Sequence, residues 1–348
     1  VTEQHRARAG TGSTPRPARA SRWGRRLALA ATLAIASALG LRAWLLRDPT
    51  PYFDARRGTL AEAIERPARD SAGVREHEVR VVGSSGLGIE LAIRRPGYTA
   101  SDSGQLRRPL FLILGGHERG KGAGALIGDT RGAVFASLEY PFEGNHRAKG
   151  LAIVAQVPLI RRALYDTPPA VHLALDYLLA RPDVDPTRVE LVGASFGAPF
   201  ATIAAARDPR VTRLWLAHGG GDTFAMIDRG LEKEIASPLL RAPVSHLANL
   251  LASGPRFTPE RWIAAVAPRP VVMLNAEADE KIPRRSVEIL YAAARDPKEL
   301  VWLPGNHMQG NRPEVLRRLV DAMLVRAATP PARGPAALTP PPASAAAP

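Results

Sequence analysis

The sequence contains no cysteine. That excludes disulfides, thiol nucleophiles and thiolate metal sites together. Aromatic residues make up only 5% of it, a poor supply for stacking bases along a nucleic-acid groove. No helix-turn-helix, zinc-finger or basic-zipper pattern is evident, so no nucleic-acid partner is expected. There is no His-Glu-x-x-His, no EF-hand loop and no cysteine–histidine spacing, so neither a metal nor a cofactor is expected. No internal repeat is visible.

What is present bounds the architecture. The 348 residues are 45% hydrophobic and 23% charged, enough for one large domain or two small ones with a sizeable core. The net charge of +14 is concentrated at one end: nine arginines against Glu3 within residues 1–47 account for +8 of it. The high charge therefore describes a short arm more than the folded part.

That basic arm, residues 1–26, leads into an apolar run over 27–46 interrupted only by Arg42. As a helix the run would extend about 30 Å, the thickness of a bilayer's hydrocarbon core. Trp23 and Trp44 flank it, where interfacial aromatics belong. The preceding arginines predict a cytoplasmic N-terminal side and an extracytoplasmic remainder, anchored by this helix. The competing expectation is a cleaved signal peptide, with Ala36-Ser37-Ala38 as the cleavage-like site; the protein would then be secreted. Residues 47–73 read as a linker, with a peripheral helix as the alternative over 48–70, residues 74–326 as the folded domain, and 327–348 as a disordered Pro/Ala-rich tail.

Within 74–326 short apolar runs alternate with helical patterns. Glu76–Val82 and Ile89–Ile93 alternate about a glycine-rich turn and read as a hairpin. Pro109–Leu114, Ala133–Leu138, Arg188–Val192, Val211–Ala217, Pro270–Leu274 and Leu300–Leu303 read as strands. Thr167 reads as an N-cap ahead of Pro168, opening a helix with Val171, Leu175, Leu178 and Leu179 on one stripe. Phe196–Arg207 and Val287–Ala294 also read as helices. This order predicts an α/β fold with a mostly parallel central sheet and helices on both faces. Residues 222–268 are too long for a plain crossover and predict a helical cap over the C-terminal edge of the sheet.

The chemistry-bearing motif is Gly193-Ala194-Ser195-Phe196-Gly197, a G-x-S-x-G between the strand ending at Val192 and the helix that follows. Reversing from strand to helix within about one residue strains the serine backbone and lifts its hydroxyl above the sheet edge. The flanking glycines remove side chains that would collide with neighbouring elements. A serine needs a base, and the chain order expected of this elbow is serine, acid, histidine. Asp279 falls in the loop after the strand Val271–Leu274, and His307 in the loop after Leu300–Leu303. Glu277 and Glu280 compete for the acid, with Glu280 and Lys281 looking like an exposed pair. Asp222 is a further candidate acid or an N-cap of the cap helix. His218, at another strand end, reads as a candidate base or a hydrogen-bonded neighbour of the site, and His172 as structural.

The stretch from about Glu76 to Arg326 resembles the α/β-hydrolase superfamily. The likeness is carried by Val189–Phe200, Ala267–Pro283 and Leu303–His307. Ala267-Pro268-Arg269-Pro270 before its strand is similar to the dienelactone-hydrolase, acetyl-xylan-esterase and prolyl-oligopeptidase-like branches. The resemblance implies Ser195 as nucleophile, His307 as general base and acid, and Asp279 as the group that orients the imidazole. It also implies an oxyanion hole, formed by the backbone N–H of Phe196 and by a donor from the loop after Pro109–Leu114. The family's His-Gly is replaced there by Gly115-Gly116-His117, so the second donor is Gly116 or His117.

The same loop carries a false likeness to a nucleotide site. Gly115–Gly120-Lys121 matches G-x-x-x-x-G-K, but position 122 is glycine and lacks the hydroxyl that would hold magnesium; no nucleotide partner is expected. The expected function is hydrolysis of a small-molecule, carboxylic ester-like substrate through an acyl-enzyme. Peptidase or acyl-transfer chemistry would use the same machinery, and a non-catalytic binding module of this fold is the alternative from another class.

Overall fold

The computed structural model describes residues 22–97, 106–117, 119–148 and 150–329. The chain divides into two units, Val1–Arg47 and Asp48–Pro348. In the first, the described residues form a helix, Arg22–Leu45. It begins inside the basic arm, five residues before the apolar run expected to form it. Its stretch Trp23–Trp44 is long and apolar enough to cross a membrane, with mean hydropathy 1.6. Most of the tail expected to be disordered lies outside the described residues.

The second unit is built on a ten-stranded sheet. Its strands are β1 (Leu60–Glu65), β2 (Arg69–Ser71), β3 (Val74–Gly83), β4 (Gly88–Pro96), β5 (Arg108–Leu114), β6 (Val134–Leu138), β7 (Val184–Ala194), β8 (Arg213–Ala217), β9 (Val271–Ala276) and β10 (Lys298–Leu303). Their spatial order is β1-β3-β4-β6-β5-β7-β8-β9-β10, with β2 paired to β3. From β6 to β10 every pairing is parallel, while β1, β3 and β4 run antiparallel at one edge.

The side-chain period of two sends alternate residues to opposite faces. On β5, Leu110, Leu112 and Leu114 enter one core, and Phe111 and Ile113 the other. The first core is covered by the helices Val157–Leu179, Ala198–Arg207 and Arg284–Ala293. The second is covered by the helix Pro313–Ala327, through Val315, Leu319, Met323 and Ala327. Burial on both faces is why the central strands read as unbroken apolar runs. Between β8 and β9 the chain forms the helices Thr223–Gly230 and Pro238–Leu251, then short helical turns up to Val266. This is the cap insertion.

Two expectations need correction. Residues 47–73 are not a linker; the alternative of a helix holds for part of them, and the two strands are not expected from the sequence. They carry the helix Thr50–Arg57, β1 and β2, and Phe53 is buried in the first core. The helix is fastened by side chains: Arg56 and Tyr52 both grip the buried Asp166 carboxylate, and Arg57 meets Asp176. Nor does Thr167 cap a helix. The helix runs unbroken through it from Val157, with Pro168 and Pro169 inside. The Thr167 hydroxyl donates back to Ala163 O at 2.7 Å. The turn ahead of the prolines is held by Tyr165, whose ring packs against Phe53 and Phe257, and by the grip on Asp166. Tertiary contacts outweigh the amide hydrogen bonds that proline deletes.

His172 on this helix is buried, with Nε2 3.1 Å from Ala204 O. Burial disfavours its cation and holds its pKa below the ordinary imidazole value, against the pull of Asp208. As pH falls through about 6.5, the unfolded chain takes up a proton that the folded state refuses, so stability falls on acidification. His172→Gln can keep a donor for Ala204 O and removes this proton uptake. In urea unfolding at roughly pH 7.5 and 5.5 the variant should lose less stability than the wild type; equal losses would contradict this assignment.

Candidate active site

At the C-terminal end of β7 the chain turns through a single 3-10 turn, Ser195–Gly197, into the helix Ala198–Arg207. Ser195 sits at φ +52°, a left-handed conformation that costs a non-glycine residue about 1–3 kcal/mol. The glycines two positions either side make the turn sterically feasible. A Cβ on Gly193 would lie 2.7 Å from Ala201 Cβ, and one on Gly197 would lie 2.2 Å from Leu114 O. Larger residues at either position would force the helix away from β5 and β7.

The loops after β9 and β10 bring two further side chains to this point. Ser195 Oγ lies 2.9 Å from His307 Nε2. His307 Nδ1 lies 3.0 and 2.9 Å from the two Asp279 carboxylate oxygens. Asp279 Oδ1 also accepts the backbone N–H groups of Lys281 at 2.9 Å and Ile282 at 2.8 Å. Burial of Asp279 opposes its charge, yet the hydrogen bonds from His218 and His307 hold its pKa well below the ordinary carboxylate range. The carboxylate is therefore an anion at any working pH. An anion beside Nδ1 keeps the proton on that nitrogen and leaves Nε2 free to accept from Ser195.

Glu277 is exposed and joins neither histidine. Asp222 caps the helix Thr223–Gly230, accepting from Ala225 N at 3.1 Å. His218 is fully buried, with Nδ1 3.1 Å from Asp279 Oδ2 and 3.1 Å from Met308 N. One nitrogen cannot serve both neighbours, and the charged carboxylate selects the Nδ1–H form. Nε2 is then a buried lone pair without a partner among the described residues. Burial keeps His218 neutral, lowering its pKa against the pull of Asp279.

Glu280 is not the exposed partner of Lys281 that its sequence position suggests. Its Oε2 accepts the His307 N–H at 2.8 Å, and its Oε1 meets Arg312 Nη1 at 2.6 Å. The same guanidinium nitrogen donates to His307 O at 2.8 Å. Glu280 and Arg312 thus clamp both backbone polar groups of His307. Burial works against the Glu280 charge, but the His307 N–H and Arg312 hold its pKa below the ordinary glutamate value. Sequence reasoning missed this clamp because its two halves lie 32 positions apart. The adjacency of Glu280 to Asp279 was the available signal.

Gly116 and His117 line the same cavity as Ser195 and His307. The Tyr140 hydroxyl donates to Gly115 O. Because the peptide unit is planar and trans, that bond also fixes the direction of the Gly116 N–H, opposite to Tyr140. Lys121, the lysine of the apparent nucleotide motif, is held instead by the Glu78 and Glu90 carboxylates. A Cβ on Gly120 would clash with the Glu139 carboxyl.

Ser195 lines two cavities. One, of about 430 Å³, opens between the face of β5, β7 and β8 and the helix Pro313–Ala327. The other, of about 280 Å³, lies beneath the cap, lined by Phe196, Phe200, Met226, Ile227, Phe257 and other side chains.

No family model matches the chain. It is similar over 158 residues to the uncharacterized protein YfhR of Salmonella typhimurium, at 31% identity, covering 43% of this chain and 51% of that protein. The YfhR protein of Escherichia coli is 28% identical over 184 residues, covering 50% of this chain and 54% of that one. The chain thus spans about half the length of the curated relatives it matches. Among solved structures it resembles an acetyl xylan esterase from a Paenibacillus species, with TM-score 0.56 and 17% identity over 78% of this chain and 93% of that one. It also resembles acetyl xylan esterase 1 from a Thermoanaerobacterium species, with TM-score 0.53 and 16% identity over 81% and 94%. A cold-adapted esterase from an Arctic intertidal metagenomic library gives TM-score 0.51 and 17% identity over 76% and 99%. At 16–17% identity these likenesses show the fold: the chain has an α/β-hydrolase fold.

Proposed function

We propose that the chain is a serine hydrolase that cleaves carboxylic esters through an acyl-enzyme. The observation that carries the reading is the relay at the sheet edge, with Ser195 Oγ 2.9 Å from His307 Nε2 and His307 Nδ1 2.9 Å from Asp279 Oδ2. The esterase names of the structural neighbours support the substrate class.

In this reading Ser195 Oγ attacks the ester carbonyl carbon while His307 Nε2 takes the hydroxyl proton. The carbonyl oxygen gains a negative charge, met by the backbone N–H of Phe196 and by that of Gly116 or His117. Each such donor contributes about 3 kcal/mol to lowering the barrier. The tetrahedral intermediate collapses, the C–O bond to the alcohol breaks, and His307 returns the proton to the leaving oxygen. Water then attacks the acyl-serine while His307 takes its proton, the C–O bond to Ser195 Oγ breaks, His307 returns the proton to Oγ, and the acid is released. Asp279 stabilises the imidazolium in both halves, and the Glu280–Arg312 clamp keeps the imidazole from turning away. The helix Trp23–Trp44 fits a membrane anchor or a signal segment, with the hydrolase outside the cytoplasm; its length, hydropathy and flanking arginines support this.

With nitrophenyl esters of graded acyl length, Ser195→Ala and His307→Ala should each lower kcat/KM on the order of 10⁴-fold or more. Glu280→Gln keeps an acceptor for the His307 N–H but loses the charge, and should lower kcat by about tenfold with a smaller change in KM. Undiminished turnover by folded Ser195→Ala would remove the serine mechanism. For the anchor, carbonate-washed membranes of cells making the full chain should retain it. Recovery of a soluble form lacking residues 1–38 would show instead that the segment is cleaved.

A further inference from the structure

The larger of the two cavities at Ser195 has an uneven chemistry. Its floor is apolar, formed by the buried Ile113, Ile127, Val192, Leu319 and Met323. Its rim carries two exposed cations, Arg119 and Lys281, and among the described residues no aspartate or glutamate lines it. Arg56, Arg57, Arg210, Arg241 and Arg312 each meet a carboxylate. The side chains of Arg119 and Lys281 meet none among the described residues. Glu118, next to Arg119 in sequence, lies outside them. The nearest acid in the loop, Glu280, is already engaged by Arg312 and the His307 N–H.

Both cations are positioned by the catalytic loops themselves. The Lys281 N–H is bonded to Asp279 Oδ1, which fixes the start of that side chain beside the relay. Arg119 follows the oxyanion loop and reaches across to the loop that follows His307. There its Nη2 lies 1.6 Å from where a Cβ on residue 310 would sit. Gly310 is not among the glycines at positive φ; what a side chain there would meet is the end of the Arg119 side chain, which would have to swing aside. A cation laid over a missing side chain, at the mouth of an apolar cavity that contains the nucleophile, is arranged to receive an anion.

Resting on the hydrolase reading above, we propose that the substrate is an amphiphilic anionic ester. Its apolar chain lies in the cavity beside the helix Pro313–Ala327, and its carboxylate or phosphate is held by Arg119 and Lys281. The anion has two chemical sources. It is either the far end of the acyl group, as in the half-ester of a dicarboxylic acid, or part of the leaving alcohol.

The test compares three esters on the full chain: neutral nitrophenyl hexanoate, the mono-nitrophenyl ester of adipic acid, and the hexanoate ester of hydroxybenzoate. The readout is the ratio of kcat/KM for each anionic ester to that for the neutral one. Arg119→Ala with Lys281→Ala should lower at least one of these ratios about tenfold or more. The ester that responds tells which side of the scissile bond carries the anion. Gly310→Ala keeps both cations but displaces the flexible guanidinium, and should lower the same ratio. Loss of folding in the double variant would leave the Gly310→Ala measurement to decide. Ratios that stay within twofold in the folded variants, or a fall shared equally by the neutral ester, would overturn the anion site. Failure of the hydrolase reading looks different: wild-type chain would then show no Ser195-dependent turnover of the neutral ester.

Discussion

The Asp279 carboxylate is buried at the edge of the sheet and stays charged because donors converge on it from three directions. His307 reaches it from the loop after β10, His218 from the end of β8, and the Lys281 and Ile282 amides from its own loop. Desolvation alone would push its proton affinity up. The opposite outcome, a strongly lowered pKa, means these loops are held together by the need to solvate one anion. That anion fixes the tautomer and tilt of His307, and His307 in turn sets the direction of the bond to Ser195. The Glu280–Arg312 clamp adds a second restraint on the same imidazole through its backbone. The site is therefore built by mutual satisfaction of polar groups rather than by any one loop's intrinsic shape.

Strain at Ser195 is the other half of the arrangement. A serine at positive φ persists because the strand before it and the helix after it are each buried in the core. Gly193 and Gly197 let β5, β7 and the helix Ala198–Arg207 approach closely enough to keep it there. The consequence is a hydroxyl raised between two cavities on opposite sides of the sheet edge, one under the cap and one beside the last helix.

Much of this was readable in the residues. The central strands announced themselves as continuous apolar runs because both faces are covered. The elbow was legible from the glycine spacing, and Asp279 and His307 from their places just beyond strand ends. Their meeting in space follows from parallel topology, which brings successive strand ends to one rim. What stayed hidden depends on partners distant in sequence. β1 is exposed along its whole length and has no alternating pattern to betray it; only pairing with β3 makes it a strand. Thr167 ahead of Pro168 reads as a helix start because local propensity favours it, and the packing of Tyr165 and Asp166 reverses that. Arg312, Tyr140 and Gly310 matter only through the atoms they touch, and nothing in their own neighbourhoods marks them.

The claim on which the account rests is that the Ser195 hydroxyl is an activated nucleophile. Reaction of the folded chain with a fluorophosphonate probe, followed by peptide mapping, tests it most directly. The account predicts covalent label on Ser195, lost when His307 is replaced by alanine and the fold is retained. A folded wild-type chain that takes no label, or takes it at another residue, would contradict it.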